Sequence, residues 1–81
     1  MGMEPPTISV RDLGLGAALV SCGFELRATE RDVSGRTHFV FANTDELERA
    51  VSDYWADTLR VNARKYSDNI KMLKSLIYGG R

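Results

Sequence analysis

Apolar residues recur three and four apart near the end of the chain, at Tyr66, Ile70, Leu73 and Ile77, with Met72 and Leu76 widening the stripe. That period predicts an amphipathic helix starting near Ala63, with one face buried and Gly79-Gly80 as its stop. A second helical stripe is formed by Leu47, Val51 and Tyr54, broadened by Ala50 and Trp55. Asn43 or Thr44 caps it, and Asp45 and Glu46 fill the first turn, where the helix dipole favours carboxylates. Earlier, Leu13 to Cys22 is apolar nearly all round, which predicts a helix buried on two sides. Ser9 followed by Asp12 resembles a capping box for it, and Gly23 stands where a left-handed closing residue is needed. Gly14 and Gly16 each cost this helix about 1 kcal/mol relative to alanine, so they point to close packing.

Between these helices the period drops to two. Phe24, Leu26 and Ala28 alternate with Glu25, Arg27 and Thr29 in a segment that runs to Asp32. Thr37 to Ala42 repeats the pattern with Phe39 and Phe41 on one side, and Ser34-Gly35 between the two segments supplies a turn, so the pair reads as a hairpin. Leu59-Arg60-Val61 is the signal for a third strand, while Thr7-Ile8-Ser9-Val10, though briefly β-like, reads as the lead into the first helix. The expected fold is therefore α+β in the order α-β-β-α-β-α. Its three-stranded antiparallel-type sheet carries the helices on one face, and the two longer helices pack against each other. Residues 1–6 read as a flexible leader and residues 7–79 as a single compact domain. At 81 residues one core is near its lower working limit, so a face shared in a homodimer would add stability.

The residue inventory argues against catalysis. His38 and Cys22 are the single histidine and cysteine. Cys22 falls in the apolar helix, where it reads as inert core, and His38 reads as a sheet-surface residue opposite Phe39 and Phe41. Zinc needs three or four ligands drawn mostly from Cys and His. Asp53 and Asp57, four apart on a helix face, read as solvated surface. Gly14-Leu15-Gly16 matches a dinucleotide loop only in outline, because Leu19 stands where a third glycine belongs and no convincing strand precedes it. The expectation is a non-enzymatic protein with no catalytic residue, metal or cofactor. One cysteine fits a reducing cytoplasm, no run of about 18 apolar residues calls for a membrane span, and the start of the chain lacks a signal-peptide pattern.

Charge changes the picture more. Arg60, Arg64, Lys65, Lys71, Lys74 and Arg81 face only Asp68 in residues 59–81, a net of +5. Residues 40–58 carry Asp45, Glu46, Glu48, Asp53 and Asp57 against Arg49, a net of −4, and residues 1–39 carry −1, so the total is zero. The neutral sum hides a dipolar molecule. Arg64, Lys71 and Ser75 share one side of the last helix, with Lys65 and Lys74 at its edges. Arg60, Arg64, Lys65, Lys71 and Lys74 are the candidate contacts to phosphates or to an acidic partner, and Arg27, Arg31 or Arg36 could extend the patch. Trp55 and Tyr78, at helix ends, are the candidate interface aromatics, although Trp55 also suits the core.

The strings Ile8-Ser9-Val10-Arg11-Asp12-Leu13-Gly14-Leu15, Gly23-Phe24, Phe39-Val40-Phe41, Tyr54-Trp55, Leu59-Arg60-Val61 and Lys71-x-x-Lys74-Ser75-x-Ile77-Tyr78 together resemble a family of small bacterial and phage proteins of unknown function. The similarity runs from about Thr7 to Tyr78 and rests mostly on core positions. It implies a bacterial or phage origin and a stand-alone cytoplasmic domain, and it carries over no catalytic residue.

Taken together, the sequence points to a protein-interaction or accessory module. Its partner is another protein or a second copy of itself, and no membrane is involved. The alternative is a nucleic-acid-binding domain that meets phosphates through the basic C-terminal strand and helix. With zero net charge and a pI near 6.6, long-range steering toward DNA is weak.

Overall fold

A computed structural model describes residues 6–79. Its elements are β1 (Thr7–Val10), α1 (Leu13–Ser21), β2 (Ala28–Arg31), β3 (Thr37–Ala42), α2 (Asp45–Trp55) and α3 (Ala63–Tyr78). The fold is α+β, with three helices on a three-stranded antiparallel sheet, in the order β-α-β-β-α-α. The sheet order is β1-β3-β2. Of the expected leader, residues 1–5 lie outside the described residues; the carbonyl of Pro6 accepts a hydrogen bond from the Asn43 N–H at 2.8 Å.

The third strand is the main correction. It is Thr7–Val10, whose register sets Ile8 opposite Phe41 and Val10 opposite Phe39. Leu59-Arg60-Val61 forms no ladder, because the chain there is spent on two helix caps. Behind it, α2 ends in a reversal, and just ahead Asn62 accepts the Lys65 N–H at 2.9 Å as the N-cap of α3. Leu59 and Val61 still half-bury their side chains. Strand β2 also starts later than the alternation suggested, at Ala28, although the Arg27 N–H already reaches the Val40 carbonyl at 2.8 Å.

Phe39 and Phe41 are fully buried on the helix-covered face of the sheet, and α1 fills the space above them. Five consecutive α1 residues, Leu15 to Leu19, are buried, so the helix is enclosed as its composition required. Its glycines are places of contact. A Cβ on Gly16 would lie 3.2 Å from both Leu73 Cδ1 and Phe39 Cδ2, and one on Gly14 would meet the Tyr54 hydroxyl at 2.6 Å and the Tyr66 hydroxyl at 3.2 Å. Helix α1 therefore packs against both α2 and α3. The two longer helices do not form the main helix pair; they meet through Tyr54 and Tyr66 over Gly14. Burial first, then the negative charge of Asp12, raises the Tyr54 phenol above its ordinary pKa.

The α1 cap also differs from expectation. Asp12 itself is the N-cap and accepts the Leu15 N–H at 2.9 Å, while Ser9 belongs to β1 opposite Val40. A strand thus does precede Gly14-Leu15-Gly16, but Leu19, fully buried, still occupies the place of the third glycine. Cys22 is exposed rather than core, since it is the C-cap where α1 leaves the interior; partial burial raises its thiol pKa.

Helices α1 and α2 end in the same way. At α1, Gly23 (φ 102°) donates to the Val20 carbonyl and Phe24 to that of Leu19. At α2, Asp57 (φ 64°) donates to Tyr54 and Thr58 to Asp53. Each is a left-handed closure that satisfies the last helical carbonyls. At α2 the residue is not glycine, so it carries a steric cost. This closure also takes Asp57 out of the helix, so it shares no helix face with Asp53. Asp57→Gly is expected to raise stability by about 1 kcal/mol and Asp57→Val to lower it, read as shifts in the urea midpoint at unchanged slope.

Candidate interaction surfaces

Five cations were singled out by sequence, and all five side chains are exposed: Arg60 in the connector after α2, and Arg64, Lys65, Lys71 and Lys74 on α3. The α3 interior is Leu73, fully buried, flanked by half-buried Tyr66, Ile70 and Ile77. With 3.6 residues per turn, the opposite side gathers Arg64, Asp68, Lys71 and Ser75, and Ser67, Lys74 and Tyr78 continue the exposed surface along one edge of it. Lys65 falls on the flank, a quarter turn away, and Arg60 precedes the helix. Among the described residues, none of these five cations makes an ion pair or a side-chain hydrogen bond.

Tyr78 is 72% exposed and stands at the end of this stripe, while Trp55 is 61% exposed at the end of α2. Trp55 meets Tyr54 edge to face, with ring centroids 5.0 Å apart. Tyr54 takes the inward position and leaves its neighbour outside, so the core reading of Trp55 does not hold. On α2 the outward side carries Asp45, Glu48 and Ser52 along with Trp55, and all four are exposed. Their common spacing was present in the sequence; what concealed the stripe was the assignment of Trp55 to the interior.

Arg31 is not available to extend the basic patch. Its guanidinium donates to the Gly35 carbonyl and to the Ile77 carbonyl in the last turn of α3, each at 3.1 Å. It ties the hairpin turn to the negative end of the α3 dipole. The turn itself is built on Asp32. One carboxylate oxygen accepts from the Ser34 N–H (3.0 Å), the Ser34 hydroxyl (2.7 Å) and the Arg36 N–H (3.0 Å), and the other meets His38 Nε2 at 2.8 Å. His38 is thereby fixed on the open face of the sheet, in a shallow hollow shared with Ser9 and Glu30. This histidine–aspartate pair spans the hairpin and could not be read before the register was known. With Asp32 fully engaged by the turn, the pair is a fastening for the hairpin.

The His38 contact first, then the Ser34 hydroxyl and the Arg36 N–H, hold the Asp32 carboxyl well below the usual carboxylate range. A depressed folded-state pKa contributes stability that is complete above the ordinary value of 3.8, declines once the unfolded chain takes up its proton below that value, and is lost when the folded form is protonated too. The melting temperature of the wild type is expected to be insensitive to this group from pH 7 to about 5 and to fall below about pH 4. Asp32→Asn should melt lower at pH 7 and show a shallower decline under acid. Thermal melts of both proteins at stepped pH check the sign.

Among the described residues no three of His, Cys, Asp and Glu converge as metal ligands, and no helix is long and apolar enough to cross a membrane. These features define a class: a small α+β domain whose helices close over an antiparallel sheet and leave one acidic and one basic helical face open to solvent. The chain belongs to DUF5659, a domain-of-unknown-function family whose model matches residues 6–79. No curated protein and no solved structure matches it.

Proposed function

We propose that this domain is a non-enzymatic protein-interaction module whose working surface is the outward face of α3, presented to an acidic protein surface. The observation that carries the reading is the stripe of Arg64, Lys71 and Lys74, exposed, without ion pairs among the described residues, and ending in exposed Tyr78. Arginine and exposed tyrosine are enriched at protein interfaces, and lysines beside them supply charge that steers an acidic partner. The setting that goes with this reading is the reducing cytoplasm of a bacterial or phage system, supported by the single cysteine.

Phosphates would meet the same cations in a nucleic-acid reading. Against it stand the zero net charge and the presence of Asp68 within the basic segment. The test is a pair of titrations of the isotope-labelled protein, followed by amide NMR shifts. One uses an aromatic-containing acidic peptide, the other short duplex and single-stranded DNA, at about 50 mM and 200 mM salt. The peptide is expected to shift α3 amides and to lose that effect with Lys71→Ala and Lys74→Ala, while DNA leaves the spectrum unchanged at the lower salt. DNA binding with a steep salt slope would replace this reading by the nucleic-acid one.

A further inference from the structure

We propose that the acidic partner is a second copy of this chain, with α2 of each protomer lying antiparallel along α3 of the other. This rests on the reading of α3 as a protein-docking face and adds the identity and register of what docks there.

The two helices carry matched stripes. On α2 the outward residues Asp45, Glu48, Ser52 and Trp55 are spaced three, four and three; on α3, read backwards, Lys74, Lys71, Ser67 and Arg64 are spaced three, four and three. Each set spans eleven residues, about 15 Å of helix from first to last, and every member is exposed. Laid antiparallel, Asp45 faces Lys74, Glu48 faces Lys71, Ser52 faces Ser67, and the Trp55 ring faces the Arg64 guanidinium, a cation–π pairing. Laid parallel, Asp45 would still meet Arg64, but Glu48 would meet only Ser67, and Lys71 would be set against Ser52.

The flanks give an independent check on direction. The one base of α2, Arg49, and the one acid of α3, Asp68, each follow a stripe residue by one position and flank the stripe on the same side. In an antiparallel pair like flanks meet, so Arg49 comes beside Asp68. The charge that is out of place on each helix is thus answered by the one out of place on the other. Within one protomer no ion pair links α2 to α3 among the described residues, since α1 packs against both. Within one protomer the two helices touch through Tyr54 and Tyr66 over Gly14; in the proposed dimer one two-fold axis relates the two α2–α3 contacts, as a closed dimer requires.

Sedimentation equilibrium of the full chain over a wide concentration range tests this. The wild type is expected to be a reversible dimer that weakens as salt rises. Lys71→Glu with Lys74→Glu, and separately Asp45→Lys with Glu48→Lys, should each raise the dimer dissociation constant at least about tenfold through like-charge contacts. All four positions are exposed, so folding should persist, and far-ultraviolet circular dichroism checks it. Mixed in equal amounts, the two variants should form a one-to-one heterodimer, because each reversed helix then faces an opposite charge. A wild type that stays monomeric at every concentration, a mixture that stays monomeric, or growth into open assemblies would overturn the proposal. Monomer behaviour with the acidic-peptide response intact would remove the second copy as partner and leave the docking face standing; loss of both would remove both.

Discussion

Replacing Leu73 with alanine is expected to destabilise the domain by about 2–5 kcal/mol. Leu73 is fully buried on α3, and its Cδ1 would stand 3.2 Å from a Cβ on Gly16, so its methyls lie directly on the α1 backbone. Truncation leaves a void that the glycine, having no side chain, cannot fill. A domain of this length has roughly 4–12 kcal/mol of net stability, so the loss is a large share of the whole. Urea unfolding followed by circular dichroism would register it as a drop in midpoint. Leu76→Ala, on the same helix at 40% exposure, is the control and should change stability by less than about 1 kcal/mol. Equal effects from the two would mean that α3 is not held through Leu73.

Phe39→Ala should cost about 3–5 kcal/mol. The ring is fully buried on β3, the middle strand, opposite Val10 on one side and Thr29 on the other. Its Cδ2 approaches the same glycine from the sheet side at 3.2 Å from the Cβ position. Phe39 and Leu73 therefore share a contact point, and their losses should not add, because once one side of Gly16 is vacated α1 can relax toward it. The measurement is a double-mutant cycle in urea, in which full additivity would deny that α1 is clamped between sheet and α3.

Much of this arrangement was legible in the residues, and the failures have particular causes. Helices α2 and α3 were visible because their apolar repeats exceed two turns and α1 because its run is apolar nearly all round, and Gly14 and Gly16 announced close contact by their low helical propensity. Gly23 marked the end of α1 openly, but Asp57 does the same work at α2 under a side chain that rarely does so, and the helix end was hidden with it. Thr7–Val10 and Leu59-Arg60-Val61 carry equally short β signals. Which one pairs is decided by register with Phe39 and Phe41 some thirty residues away and by the caps that consume residues 56–62. Local pattern holds no record of either. For the candidate surface, periodicity placed Arg64, Lys71 and Ser75 on one side of α3 with Lys65 and Lys74 at its edges, and all five are exposed. It could not tell whether Tyr54 or Trp55 would turn inward, since the two are adjacent at the margin of the stripe and both are large and apolar.

Strand β1 adds to the sheet at β3, and between them lie α1, β2 and the Asp32 turn. The β2–β3 ribbon closes over a few residues and can form within microseconds. Strand β1 must wait: during synthesis at about 5–20 residues per second it leaves the ribosome more than a second before its partner exists. In that interval its uncharged Thr-Ile-Ser-Val backbone has no mate, which makes the nascent chain, more than the finished domain, the form most exposed to mispairing.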